Sequence, residues 1–336
     1  MEDHCKGKLK LIITRTPLRI SLGGGGTDLP SYYRENGHGF LIAASITKYV
    51  YIAVNENFDN DILLKYSEIE RARVVDEVRH PLLRECLRAS NISKRVEISS
   101  MADVPAGTGL GSSGSFAVGT LKALYLMSHQ IPSAKKLAEM ACNIEMNILG
   151  EPIGKQDPYI AAVGGITSFK FNDDESVEIE RLDLERDVRT RIEESLMLFY
   201  TGLKRSASEA LASESQPRKQ GEVAVNNLSD TRAIGYETLK ILQSGDLNAF
   251  GQILTNQWEL KYQRQPSALH DQVNEWIQTG IYAGALGGKL IGAGGGGFLL
   301  FYSDRKNELR ASMHECGLEE VNFGVDYEGS TVTIGR

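Results

Sequence analysis

The sequence predicts an α+β fold in two lobes, and three observations carry that reading. Strand-like runs fill the first third, a helical stretch follows at residues 206–279, and strands return at the end. That order is not the regular strand–helix alternation of a parallel α/β sheet. The length, 336 residues, corresponds to about two domains at roughly 150 residues each. The composition, 41% hydrophobic and 24% charged, is that of a globular chain able to build a large core. The lobes are placed at residues 1–190 and 191–336.

The elements follow in order. Leu9 to Thr14 and Leu18 to Leu22 read as strands on either side of Pro17. Phe40 to Ile46, Tyr49 to Val54 and Ile62 to Tyr66 are β-branched or aromatic runs, and Arg95 to Ser99 alternates like a half-buried strand. Ser115 to Ser128 and Ser133 to Leu149 carry apolar residues at helical spacing, with Ser133 a suitable N-cap. Ile166 to Phe171, Val177 to Ile179 and Leu196 to Tyr200 return to strand. After the helical stretch come strands at Lys289 to Ile291 and Phe298 to Tyr302, a helix at Lys306 to Cys316, and strands at Glu320 to Val325 and Ser330 to Ile334.

Charge and cysteines narrow the function. Lys plus Arg is 37 and Asp plus Glu is 44, a net charge of −7. That balance argues against a nucleic-acid partner held by phosphate neutralisation. The four cysteines are scattered, without the spacing of a zinc site or a disulfide framework. The first residues lack the pattern of a signal peptide, and no apolar run approaches the roughly 18 residues of a membrane span. A cytoplasmic protein without a membrane partner, monomeric or homodimeric, is expected.

Glycine is the anomaly: 34 of 336 residues, against an average of about 7%. Thirteen of them fall in three short clusters, Gly23–Gly26, Gly107–Gly114 and Gly292–Gly297. Clustered glycine forfeits packing and is entropically costly, so it signals positive φ or close backbone approach. The second cluster opens a helix. Its free N–H groups and the helix N-terminus suit an anion, which lets an acidic protein bind a polyanion. A tight turn with a serine cap is the plainer alternative for any one cluster. Gly109 to Gly114 fits G-x-G-x-x-G, but the following helix–helix pattern lacks the second strand and acidic residue of a dinucleotide site. No Gly-Lys-Ser/Thr completes a P-loop.

Three motifs in order resemble those of the GHMP kinase superfamily. They are Pro17 to Asp28, Pro105 to Ser113 and Lys289 to Phe298. Within it, the Gly-Gly-Gly-Gly-Thr-Asp form, Gly154-Lys155-Gln156-Asp157-Pro158-Tyr159 and Ala283 to Leu290 look like the anomeric sugar kinases, the heptose 7-phosphate kinases above all, with fucokinase domains close by. The resemblance implies a lobe like domain 2 of ribosomal protein S5, a ferredoxin-like C-terminal lobe and a left-handed β-α-β element. It also implies ATP with Mg²⁺ as donor and transfer to the C1 hydroxyl of D-glycero-D-manno-heptose 7-phosphate. A fucokinase- or galactokinase-like enzyme for an unphosphorylated sugar, and a non-catalytic sugar- or nucleotide-binding regulator, are the alternatives.

The resemblance also implies roles for residues. Asp157 would act as general base or orient the attacking hydroxyl, and Arg19 would sit beside it; alternatively Asp157 caps a helix and Arg19 is an exposed strand residue. Pro105, Gly107, Gly109, Leu110, Gly111, Ser112, Ser113 and Ser115 would bind ATP phosphates. Ser113 and Glu145 would hold Mg²⁺, unless Glu145 is a solvated helix residue. Gly25, Gly26, Thr27, Asp28, Gly294 and Gly295 would bind the sugar, unless Asp28 caps the segment begun by Leu29-Pro30. Arg15, or Lys204 with Arg205, could meet a distal phosphate, or be ordinary surface charges.

Overall fold

The computed structural model describes residues 11–203, 222–264, 267–292 and 297–335. Two sheets organise the chain. An eight-stranded sheet runs in the order β12-β1-β2-β5-β3-β4, with β6 pairing β2 and β7 pairing β6. A four-stranded antiparallel sheet runs β11-β8-β10-β9.

Two long strands form the spine of the first sheet. β1 (Leu11–Gly23) is continuous through Pro17, where the sequence suggests a break. Proline is tolerated because the register shifts between Pro17 and Leu18, and β12 (Thr331–Gly335) pairs only with Ile12–Arg15. β2 (His38–Glu56) replaces the two strands expected there. Its first half pairs with β6 (Ile166–Asn172) and its second half with β5 (Val96–Ala102). On the edge away from β1, one strand thus serves two partners, which a hydropathy pattern reads as two strands.

β3 (Ile62–Lys65) pairs with β4 (Ile69–Ala72) and, in parallel, with β5. β4, α2 (Pro81–Ala89) and α6 (Arg186–Ser195) are absent from the sequence reading. α6 buries only Ile192 and Ser195, too few positions to show a period. α1 (Pro30–Tyr33) is a single turn. α3 (Ser112–Met127) starts three residues earlier than expected, because Gly111 takes the N-cap at φ 76°. Ser133 does cap α4 (Ala134–Cys142), accepting from the Lys136 N–H at 3.2 Å. The expected single helix then widens into a π-helical turn at Asn143–Ile148. α5 (Gln156–Val163) and β7 (Val177–Arg181) complete the N-terminal half.

The second sheet comprises β8 (Leu196–Tyr200), β9 (Gly287–Ile291), β10 (Phe298–Tyr302) and β11 (Glu319–Glu320). The strand expected at Glu320 to Val325 shrinks to β11 and one bridge from Val325 to Ile46. The described part of the long helical stretch resolves into α7 (Glu222–Ser244), α8 (Leu247–Arg264) and α9 (Ala268–Tyr282), and α10 (Lys306–Glu315) follows β10. Trp258, Val273 and Ile277 from α8 and α9 pack on Phe199, Leu299 and Phe301 of the sheet. A cut between residues 190 and 191 falls inside α6, and β12 returns to the first sheet, so the sheets cross the lobe division.

α3 is the element that positions the site. It packs on β1 and β2 and is fixed to β1 by two hydroxyls. Ser115 Oγ donates to the Pro17 carbonyl at 2.7 Å, and Thr14 Oγ1 donates to the Gly119 carbonyl at 3.0 Å.

Candidate active site

The loop before α3 alternates glycines at positive φ: Gly107 at 76°, Gly109 at 81° and Gly111 at 76°. Alternation of this kind turns successive N–H groups toward one side, a concavity suited to an anion. α3 continues it as a helix whose N-terminus no side chain caps and whose first turn carries no acid. Ser112 is half-buried at this end, Ser113 is exposed, and Pro105 is exposed where the loop begins. The third glycine cluster meets the loop backbone to backbone. A Cβ on Gly292 would lie 2.6 Å from Gly109 Cα.

Arg19 and Asp157 meet beside this N-terminus. Arg19, on β1, is buried and donates from Nε to Asp157 Oδ1 at 2.7 Å. Its Nη1 donates to the Gly109 carbonyl at 2.5 Å, and its own N–H donates to the Leu110 carbonyl at 3.0 Å. Leu110 is itself fully buried, so it anchors the loop rather than lining it. Arg19 is therefore not an exposed strand residue. Asp157 does not cap α5: Lys155 holds the N-cap position, and Asp157 is the second helical residue. Its carboxylate keeps 27% of its surface open. The glycines make this approach possible. A Cβ on Gly111 would sit 3.1 Å from both Arg19 Cγ and Asp157 Cγ, and one on Gly114 would sit 2.9 Å from Asp157 Cβ.

Glu145 comes from the π-helical turn and is almost fully buried. Ser113 Oγ donates to its Oε2, while its Oε1 has no hydrogen-bond partner. Burial pushes the Glu145 carboxyl up to about 7; the Asp157 charge adds to this and the Ser113 hydrogen bond opposes it. A buried, half-satisfied carboxylate facing a serine at this glycine-rich loop is a fit for a divalent cation that completes its shell with water and phosphate oxygens. No group of three or more His, Cys, Asp or Glu able to hold a metal occurs among the described residues.

Three further sequence-based assignments change. Thr27 is fully buried, its hydroxyl bonded to the Gly24 and Phe40 carbonyls at 2.9 Å and the Phe40 N–H at 3.0 Å, so it shapes the first glycine loop and cannot reach a sugar. Ser115 is buried with its hydroxyl committed to Pro17, so it offers nothing to a phosphate. Asp28 is buried too, and it does not cap α1. It accepts from the Gly26 N–H at 3.2 Å and the Gln156 N–H at 3.0 Å, tying the first glycine loop to the start of α5. Burial pushes its carboxyl up against the Gln156 hydrogen bond, and the Asp157 charge adds to the rise. Gly294, Gly295, Lys204 and Arg205 lie outside the described residues. Arg15 is occupied by Glu328 and stacks on Tyr49, 4.6 Å from the ring centre.

A cleft of about 100 Å³ opens next to this centre, lined by Gly25, Gly26 and Gly292 among others. It also contains Gln156, Gln257, Lys261, Arg264 and Lys289, none of which received a role from sequence. Gln156 and Lys289 lie inside quoted motifs and were findable there. Lys261 and Arg264 stand in a helix where they read as surface charges.

Known proteins bear on this arrangement as follows. The family described as GHMP kinases N terminal domain matches residues 72–165, and that described as GHMP kinases C terminal matches residues 238–317. The D-glycero-alpha-D-manno-heptose 7-phosphate kinase of Campylobacter jejuni is 27% identical, over 96% of this chain and 98% of that protein. The galactokinase of Pyrococcus furiosus is 24% identical, over 88% of this chain and 89% of its own. The crystal structure of a D-glycero-D-manno-heptose 1-phosphate kinase from Bacteroides thetaiotaomicron superposes with TM-score 0.80 at 23% identity, covering 96% of this chain and 99% of that one. The fold and these matches define a phosphotransferase. The chain belongs to the GHMP kinase family.

Proposed function

We propose that this protein is an ATP-dependent sugar kinase that phosphorylates the C1 (anomeric) hydroxyl of D-glycero-D-manno-heptose 7-phosphate, giving the 1,7-bisphosphate. The observation that carries the reading is the Arg19–Asp157 pair, 2.7 Å apart and set against the N-terminus of α3. The heptose assignment rests on likeness to the Campylobacter jejuni relative over nearly the whole of both chains.

The chemistry follows from the placement. ATP phosphates lie against the N–H groups of Gly107 to Ser113 and the positive end of α3. Gly25 and Gly26 line the cleft that receives the sugar. Asp157 accepts the proton of the C1 hydroxyl or aligns it as the oxygen attacks the γ-phosphorus in line; the bond to the β–γ bridging oxygen breaks and ADP leaves. Arg19 fixes the Asp157 carboxylate and places positive charge beside the developing phosphoryl charge. Ser113 and Glu145 would hold Mg²⁺, which when bound neutralises charge on the β- and γ-phosphates. The setting is the cytoplasm, where ATP and sugar phosphates occur, with the enzyme a monomer or homodimer.

ADP release tests the reading, with purified protein, Mg²⁺-ATP and heptose 7-phosphate, fucose, galactose or mevalonate. Turnover of heptose 7-phosphate to a product phosphorylated at C1 is expected. Preference for fucose or galactose would favour the unphosphorylated-sugar alternative suggested by the galactokinase likeness. No ADP release with any sugar would overturn the kinase assignment.

A further inference from the structure

The cleft beside Asp157 has a wall that phosphoryl transfer itself leaves unexplained. Lys261 and Arg264 come from one face of α8, three residues apart, and Lys289 comes from β9. The described lining holds these three basic side chains and no carboxylate, in a chain of net charge −7. The groups are held in place. Lys261 Nζ donates to the Gly292 carbonyl, and Arg264 Nη1 donates to Asn227 Oδ1 at 2.7 Å. Lys289 is buried and donates to Gln257 Oε1 at 2.9 Å; Gln257 is itself fixed to the Leu22 carbonyl at 2.9 Å. Burial, followed by the nearby Lys261 and Arg19 charges, pushes the Lys289 amine well down, and an anion in the cleft would offset that repulsion. Gln156 is nine-tenths buried on the same cleft; its Nε2 donates to Asp157 Oδ1 at 3.3 Å while its Oε1 has no partner.

The molecule therefore offers two surfaces of different construction, each suited to an anion. One is the phosphate loop, built from backbone N–H groups. The other is this cationic wall, whose lining includes no residue of the phosphate loop. Gln156 and Asp157, adjacent in sequence, link the second site to the reacting centre. A kinase needs one anion site for its nucleotide, so the second belongs to the acceptor.

We propose that Lys261, Arg264 and Lys289 form a subsite for a phosphate monoester already carried by the acceptor, and that Gln156 Oε1 accepts a hydrogen bond from an acceptor hydroxyl. This rests on the kinase reading and deepens it: the enzyme selects phosphorylated sugars, and these residues do the selecting. A charged hydrogen bond to phosphate is worth about 1.5–3 kcal/mol, roughly a 10- to 150-fold change in affinity.

The test compares wild type with Lys261→Gln and Arg264→Gln, with Arg264→Lys as a variant that keeps the charge. ADP release is followed with heptose 7-phosphate, the free heptose, and varied ATP. Each Gln variant should raise KM for heptose 7-phosphate at least about 10-fold, with Arg264→Lys intermediate. KM for ATP should move less than twofold, and KM for the free heptose should rise far less than KM for heptose 7-phosphate. A matching rise in KM for ATP would place the nucleotide phosphates at the wall and overturn the proposal. Equal losses with the phosphorylated and the free sugar would also overturn it. If wild type turns over no sugar, the kinase reading fails, and calorimetric titration of heptose 7-phosphate then decides the subsite. Binding lost in Lys261→Gln supports it, and equal binding of the free heptose overturns it.

Discussion

Arg19 and Asp157 stand 138 positions apart in the chain and 2.7 Å apart in the fold. The contact forms because α3 presents Gly111 and Gly114 where other helices carry side chains, so β1 and α5 close against its N-terminus. The ordered pair is what the proposed transfer step requires of the protein.

Asp157→Asn keeps the shape and removes the base. kcat should fall by about 10²- to 10⁴-fold, the usual worth of general acid–base catalysis. The affinity for ATP, measured by titration, should stay within a fewfold of wild type. Turnover near wild type would remove Asp157 from the mechanism.

Gly114→Ala tests the packing beneath the pair. The new Cβ would meet Pro158 N at 2.8 Å and Asp157 Cβ at 2.9 Å, atoms of a neighbouring helix that cannot simply rotate away. Overpacking of this kind costs about 1–3 kcal/mol. A lower thermal midpoint is expected together with a kcat loss larger than the unfolded fraction accounts for. Unchanged kcat would show that α5 tolerates displacement.

Glu145→Gln keeps the hydrogen bond to Ser113 possible and removes the negative charge. The concentration of Mg²⁺ needed for half-maximal rate should rise at least about 10-fold, in line with the worth of a charged ligand contact. Removal of divalent cations by chelation should abolish wild-type turnover. An unaltered Mg²⁺ requirement in the variant would place the cation elsewhere.

Thr27→Val probes a residue whose role the structure reassigns. It leaves the Gly24 and Phe40 carbonyls and the Phe40 N–H short of a partner, at a cost of about 1–3 kcal/mol. Stability should drop in urea unfolding, while KM for the sugar in the folded protein stays near wild type. A large KM effect without loss of stability would restore Thr27 to the sugar site.

Glu175 gives a pH dependence. Partial burial alone would raise its carboxyl, but hydrogen bonds from Lys155, Arg34 and Tyr33 outweigh this and hold it at about 2. A carboxyl depressed from 4.5 stabilises the fold above pH 4.5, and that contribution is lost as pH falls toward about 2. The side chain is 45% exposed, so screening limits the effect to about 1 kcal/mol. Urea midpoints at pH 7 and pH 3 should differ less in Glu175→Gln than in wild type. An identical pH response in both would assign the acid sensitivity to other carboxylates.

Much of the site is legible in the chain because its chemistry is local. The loop from Gly107 to Gly111 would bind a phosphate through its own backbone, and alternating positive φ is a property that glycine spacing announces. The same holds for Ser133, a cap that acts three residues away. Ser115 and Thr27 misled because a hydroxyl in a glycine motif reads the same whether it faces a ligand or a buried carbonyl; only burial separates the cases. Asp28 was readable as a cap, but the N–H it accepts from, beside that of Gly26, belongs to Gln156, 128 residues on.

The sequence by itself determined the class of the fold, the three glycine clusters, and the choice of Arg19, Asp157, Glu145 and Ser113 as candidates for the proposed transfer step. Tertiary structure alone decided what those groups face. It runs β1 unbroken through Pro17, sets Asp157 in the first turn of α5 against Arg19, and leaves Glu145 Oε1 buried beside Ser113 without a partner. It also brings Lys261 and Arg264 of α8 into one cleft with Lys289 of β9. The physical reason is range. Backbone conformation and capping act within a few residues, whereas the burial and charge that give a side chain its function come from elements the chain brings together from far away.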